Sequence, residues 1–168
     1  MDLVFVGFGI IASEYDYNDY TYADVEGKIV VMIEGEPASE DDAYFVGMLP
    51  TVYSLNESRQ RIALARGAYG SIIIPVNSPA NYDWERLKIQ YKFEDVRLAF
   101  SAAGSFGILW NLNKANILFD SSGYDFEDIM VLVEKGELLP IELNKSLTIP
   151  LYKFIANPNN SLRKSKKE

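Results

Sequence analysis

Gly7-Phe8-Gly9-Ile10-Ile11-Ala12 follows the apolar run Leu3-Val4-Phe5-Val6 in the G-x-G-x-x-A spacing of a dinucleotide-binding turn. Glu34, at the end of the next apolar run, stands about where a ribose-binding acid would lie. That chemistry needs a helix to begin at the glycines and present its N–H groups to pyrophosphate. Residues 13–22 instead alternate Tyr, Asp and Asn without a 3.6-residue apolar stripe, so the glycines read as a turn at a strand end. Asp16-Tyr17-Asn18-Asp19 has the beginning of a calcium loop, but Thr21 stands where the sixth-place glycine belongs and Gly27 where the twelfth-place glutamate belongs. Asp16, Asp19 and Asp24 are left as oxygen donors on a solvated acidic edge. Glu40-Asp41-Asp42 could supply paired carboxylates, but three consecutive acids among small residues read as hydrated, without the burial that separates two pKa values. Tyr82 and Trp84 could form a stacking platform for a sugar, although an aromatic that anchors a helix is commoner.

The residue types that are missing narrow the chemistry further. The 168-residue chain has no histidine and no cysteine, which removes Ser-His-Asp and Cys-His nucleophile systems, disulfides and the commonest transition-metal ligands. No cofactor is expected. Asp plus Glu outnumber Lys plus Arg by 24 to 16, a formal charge of −8, which argues against a nucleic-acid surface. The one basic cluster, Arg163-Lys164-Ser165-Lys166-Lys167, lies in a C-terminal tail, residues 157–168, expected to be flexible. No apolar run has the length of a membrane span. Met1-Asp2 runs directly into the first apolar run, the pattern of a cytosolic chain or of a segment from a longer one.

The elements that must position these residues begin with Lys28-Ile29-Val30-Val31-Met32-Ile33, a β-branched apolar run with no charge after Lys28, bounded by Gly27 and by Gly35 and Pro37 and read as a strand buried on both faces. About forty residues on, Gly67-Ala68-Tyr69-Gly70-Ser71-Ile72-Ile73-Ile74-Pro75 repeats the design, with a strand over 69–74 that stops at Pro75. Between them, Ser54-x-x-Glu57 is a capping-box signature, Leu55, Ile62, Leu64 and Ala65 supply an apolar face, and Gly67 sits at the αL stop. Strand, helix, strand implies a parallel pair. Residues 36–50 read as a long loop. Asp83 caps a short helix carrying Trp84, Leu87 and Tyr91, and residues 96–100 alternate as a strand. Phe106 to Trp110 is a further strand, residues 113–119 one or two helical turns, and Asp125 caps a helix with Phe126, Ile129, Met130 and Val133 on one face and Gly136 as its stop. Residues 138–143 and 147–155 are expected to be extended. The predicted architecture is a mixed sheet with helices on one side.

Taken together, Val4-Phe5-Val6-Gly7-Phe8-Gly9-Ile10, Tyr17-Asn18-Asp19-Tyr20, Asp24-Val25-Glu26-Gly27-Lys28-Ile29-Val30-Val31 and Gly35-Glu36-Pro37 resemble the opening of the protease-associated (PA) domain, in the form inserted in secreted two-zinc aminopeptidases. Arg61-x-Ala63-x-x-x-Gly67-Ala68-x-Gly70-Ser71-Ile72-Ile73-Ile74 is similar to that domain's helix and second buried strand, and Phe106-Gly107-Ile108-Leu109-Trp110 with Ala115-Asn116-Ile117-Leu118 to its later strand and short helix. Tyr22 departs from the family's usual glycine. The resemblance implies a PA domain over residues 1–156, of mixed β/β/α swivelling type: a partly open β-barrel or sandwich with flanking helices over 55–66 and 125–135. It further implies a non-catalytic accessory module that mediates protein or peptide interaction or gates substrate access. Its partners would be the catalytic peptidase domain of the same parent chain, a zinc metallopeptidase, and the peptide or protein substrate. The setting would be extracellular or periplasmic. As an insertion, the module should bring residues 3–6 beside part of 147–155. Tyr44 and Phe45 of the long loop are the first candidates for a contact surface; a free-standing carbohydrate- or peptide-binding module using Tyr82 and Trp84 is the alternative.

Overall fold

The computed structural model describes residues 1–37, 41–47, 49–76, 84–85 and 106–148. Among the described residues, five strands form one open mixed sheet in the spatial order Phe106–Leu109, Gly70–Ile74, Ile29–Ile33, Asp2–Phe5, Ile141–Ser146, and no closed barrel forms. Strands β1 (Asp2–Phe5), β4 (Ile29–Ile33), β5 (Gly70–Ile74) and β6 (Phe106–Leu109) run parallel, and β7 (Ile141–Ser146) is antiparallel to β1. Two short strands, β2 (Ile11–Ala12) and β3 (Tyr17–Asn18), pair as a separate ribbon. Among the described residues, the α-helices with both ends defined are α1 (Asn56–Ala65), α2 (Asn116–Phe119) and α3 (Phe126–Lys135).

The two apolar runs pair as expected, with Ile29 opposite Gly70 and Ile33 opposite Ile74. All ten of their residues are buried because the sheet is covered on both faces. Leu3, Phe5, Ile29, Val31, Ile33, Ile72 and Ile74 point to one side, where Leu118 and Phe119 of α2 and Phe126 and Ile129 of α3 pack on them. Val4, Val6, Val30, Met32 and Ile73 point to the other, against Ala63 of α1 and against Tyr20, Val25 and Ala68. Helices thus lie on both sides, not on one. A strand dry on both faces needs cover on both, and a single crossover helix can supply only one.

Helix α1 begins and packs differently from its pattern. Its N-cap is Leu55, whose side chain makes no cap, while Ser54 donates to the Thr51 carbonyl at 2.7 Å. The Thr51 hydroxyl instead accepts the Tyr53 N–H at 3.1 Å, capping a short 3₁₀ turn over Val52–Ser54. Leu55 is 57% exposed, and the buried face is Arg59 and Ala63, one helical turn apart. The Arg59 guanidinium donates to the carbonyls of Ile33 at 2.7 Å and Ser54 at 3.0 Å and to the Asn56 side chain, tying the end of β4 to the start of its own helix. The C-terminus follows the sequence. Gly67 takes φ +85°, and the Ala68 N–H reaches the Ala63 carbonyl at 3.1 Å, a Schellman closure.

Helix α3 matches its signals closely. Asp125 accepts from the Asp128 N–H at 3.0 Å, Asp128 accepts from the Asp125 N–H at 3.1 Å, and Gly136 ends the helix at φ +68°. The described partner of β1 on this side is Ile141–Ser146, with the Leu147 N–H donating to the Met1 carbonyl at 2.8 Å; residues 149–155, most of the segment expected beside 3–6, lie outside the described ones. The strand expected over 96–100 and the tail 157–168 also lie outside them.

Candidate functional site

The parallel strands deliver their carboxyl ends to one rim. Gly7 and Phe8 follow β1, Glu36 and Pro37 follow β4, and Val76 follows β5; all but Gly7 line a cleft of about 600 Å³. Its opposite wall is the carboxyl end of α3, from Met130 through Gly136, with Leu138, Leu139 and Pro140 leading into β7. The β2–β3 ribbon closes one side with Asp16, Tyr17, Asn18 and Asp19, and Tyr44 of the long loop adds a ring. Ligands of open parallel sheets bind outside the strands' carboxyl ends, where the order of strands reverses, and here β7 joins β1 on the side opposite β4.

Asp19 organises the ribbon side. The chain turns at Gly7 (φ +75°) and Gly9 (φ +74°), conformations that glycine adopts without a Cβ penalty. Oδ2 of Asp19 accepts the Ile10 N–H at 2.9 Å, and Oδ1 accepts the Tyr17 hydroxyl at 2.7 Å. The amides of Gly9 and Phe8 also favour the carboxylate, but burial outweighs all these donors and pushes its pKa up to about 6. A Cβ on Gly7 would stand 3.0 Å from Asp19 Oδ1. The anion held by the Gly7-Phe8-Gly9 turn is therefore the protein's own carboxylate, and a ribbon strand, not a helix, follows the turn.

The long loop is latched to the ribbon by rings. Phe45 stacks on Tyr15 with centroids 4.5 Å apart and meets Tyr44, Tyr17 and Tyr53 edge-on at 5.0, 5.4 and 5.9 Å. The Tyr53 hydroxyl donates to Glu14 at 2.5 Å, and Glu36 accepts from the N–H of Thr51 at 2.7 Å and from its hydroxyl. Phe45, Val46 and Gly47 take φ of 49°, 55° and 65°, so three successive residues are left-handed, one of them β-branched.

Of the residues singled out in the sequence, Tyr44 is half-buried on the cleft, and Phe45 is fully enclosed and offers no surface. Trp84 is half-buried in a helical stretch with Glu85, and Tyr82 lies outside the described residues. Trp110 is half-buried against the core, with its indole N–H on the Lys114 carbonyl at 2.9 Å. In the connection over 13–22, the Tyr20 ring is buried and its hydroxyl has no hydrogen-bond partner among the described residues. The Tyr17–Asp19 pair was missed, although i and i+2 in an alternating stretch place two side chains on one face. No His/Cys/Asp/Glu group suited to a metal ion occurs among the described residues, and no described helix is long and apolar enough to cross a membrane. Comparison with protein-family models, curated proteins and solved structures finds no match for this chain.

Proposed function

We propose that the chain is a non-catalytic interaction module of the protease-associated kind, of swivelling β/β/α type, that binds peptide or protein at the cleft beside β1 and β4. In this reading it serves an exported zinc aminopeptidase whose catalytic domain lies in the same parent chain, and it presents or gates substrate there. The observation that carries the reading is the cleft itself: concave, walled by Tyr17, Tyr44 and Phe8, and set at the carboxyl rim of the sheet. Two further features support it. The acid in the cleft with the raised pKa, Asp19, holds a backbone turn and a tyrosine and sits beside no nucleophile of the Ser-His or Cys-His kind. The N-terminal strand and β7 are neighbours, with Met1 and Leu147 bonded in both directions at 2.8 and 3.3 Å, as a module spliced into another domain requires.

The test is titration of the 168-residue chain with unstructured peptides while the backbone amide signals are followed by NMR. Shifts confined to the amides of residues 16–19, 44, 76 and 134–138 are expected, with no hydrolysis of the peptides with or without added zinc. Turnover by the isolated chain, or shifts scattered away from the cleft, would reject the reading.

A further inference from the structure

We propose that the cleft selects a protonated amine or guanidinium borne on an apolar stem, supplied by the amino terminus or a basic side chain of a peptide. This rests on the peptide-binding reading above and names the chemistry that the site would recognise.

The cleft's charges are lopsided. Among the described residues, Asp16, Asp19, Glu36 and Glu134 line it against Lys135. Two of these acids are committed to building the walls: Asp19 holds the Ile10 N–H and the Tyr17 hydroxyl, and Glu36 holds Thr51. The side chains of Asp16 and Glu134 are exposed and make no hydrogen bond or ion pair with the described residues. Both line the cleft, one in the turn between β2 and β3 and one in the last turn of α3. That helix ends at the cleft with Lys135 and Gly136, so the negative pole of a ten-residue dipole adds to the carboxylates. The apolar part of the lining is the opposite in character: Phe8, Met130, Val133 and Leu138 offer surface for a methylene stem. Tyr17 and Tyr44 add ring faces that attract cations. Clefts lined by one sign of charge with low-dielectric walls concentrate the opposite charge, and an acidic peptide would be repelled.

The experiment uses the whole chain and four tetrapeptides built on Xaa-Leu-Leu-Ser amide: free-amino Lys, acetyl-Lys with its side chain unmodified, free-amino norleucine, and acetyl-norleucine. The expected result is that either single positive charge tightens binding at the cleft by about tenfold over the uncharged acetyl-norleucine peptide. Comparison of the two singly charged peptides tells whether the terminus or the side chain is the preferred source. The double variant Asp16→Asn/Glu134→Gln, at two exposed positions, should keep its circular dichroism and lose that preference. Equal affinity for all four peptides at the cleft would overturn the charge selection and leave the interaction reading standing. Absence of any shift at residues 44, 76 and 138 would overturn both. A double variant that folds and still prefers the charged peptides would overturn the roles given to Asp16 and Glu134.

Discussion

The Ile10 backbone N–H donates to Oδ2 of Asp19 at 2.9 Å, and the Ile10 carbonyl accepts the Asp19 N–H at 3.0 Å. Through this pair, nine residues apart in sequence, the glycine turn after β1 and the β2–β3 ribbon become one unit. The turn that could have held a phosphate holds a carboxylate of the same chain, and that carboxylate forms part of a cleft wall.

The first prediction concerns pH. Asp19 is raised from 3.8 to about 6 by burial, so the folded chain binds its proton more tightly than the unfolded one. Its contribution to stability is therefore present at low pH and is lost as pH rises from about 4 to about 6, levelling off above. The titratable groups facing it, Tyr17, Tyr44 and Tyr20, have pKa values raised above the ordinary tyrosine value and stay neutral in that window. Asp19→Asn should flatten the difference. Urea midpoints measured across pH 4 to 7 for both proteins check this; parallel profiles would rule it out.

Phe45 anchors the loop from inside. Phe45→Ala should cost about 3–5 kcal/mol, the range for emptying a buried aromatic site. Its neighbour Val46 is 44% exposed and left-handed, so Val46→Gly should raise stability by about 1 kcal/mol by relieving backbone strain. Denaturant unfolding of the two variants should move in opposite directions; a shift of both the same way contradicts the latched-loop description.

Arg59 offers a harsher test. Arg59→Leu preserves apolar bulk but strips the Ile33 and Ser54 carbonyls of their donors at 2.7 and 3.0 Å. Leaving buried acceptors unpaired costs about 1–3 kcal/mol each, so a loss of roughly 3 kcal/mol is expected. Calorimetric melting gives the answer, and a change below about 0.5 kcal/mol, the size typical of surface substitutions, would mean that the guanidinium is dispensable.

The two helix starts should respond unequally. Asp125→Ala removes a reciprocal capping box and should cost about 1 kcal/mol. Ser54→Ala removes only a bond to the Thr51 carbonyl, outside the helix, and should stay within about 0.5 kcal/mol. Equal losses would restore Ser54 as the cap of α1.

Local signals were legible wherever a short stretch carries its own physics. The largely apolar, β-branched-rich runs read at 28–33 and 69–74 do form the doubly buried strands 29–33 and 70–74, and Gly67, Asp125 and Gly136 mark helix ends through conformations and hydrogen bonds that reach no more than one turn away. The same locality misled at Ser54-x-x-Glu57, where Thr51, Glu36 and the buried Arg59 compete for the polar groups and move the helix start. It also misled at Phe45, whose ring is enclosed by four tyrosines drawn from three separate segments. Cover on both faces of the sheet, the choice of 141–146 as the partner of β1, and the cleft itself depend on which distant surfaces meet. No window of sequence contains that information, because burial rewards any apolar face that fits and only the folded chain selects one. Residue types, then, set what chemistry this protein can hold, and long-range packing decided where Asp19, Tyr44 and the end of α3 would face each other.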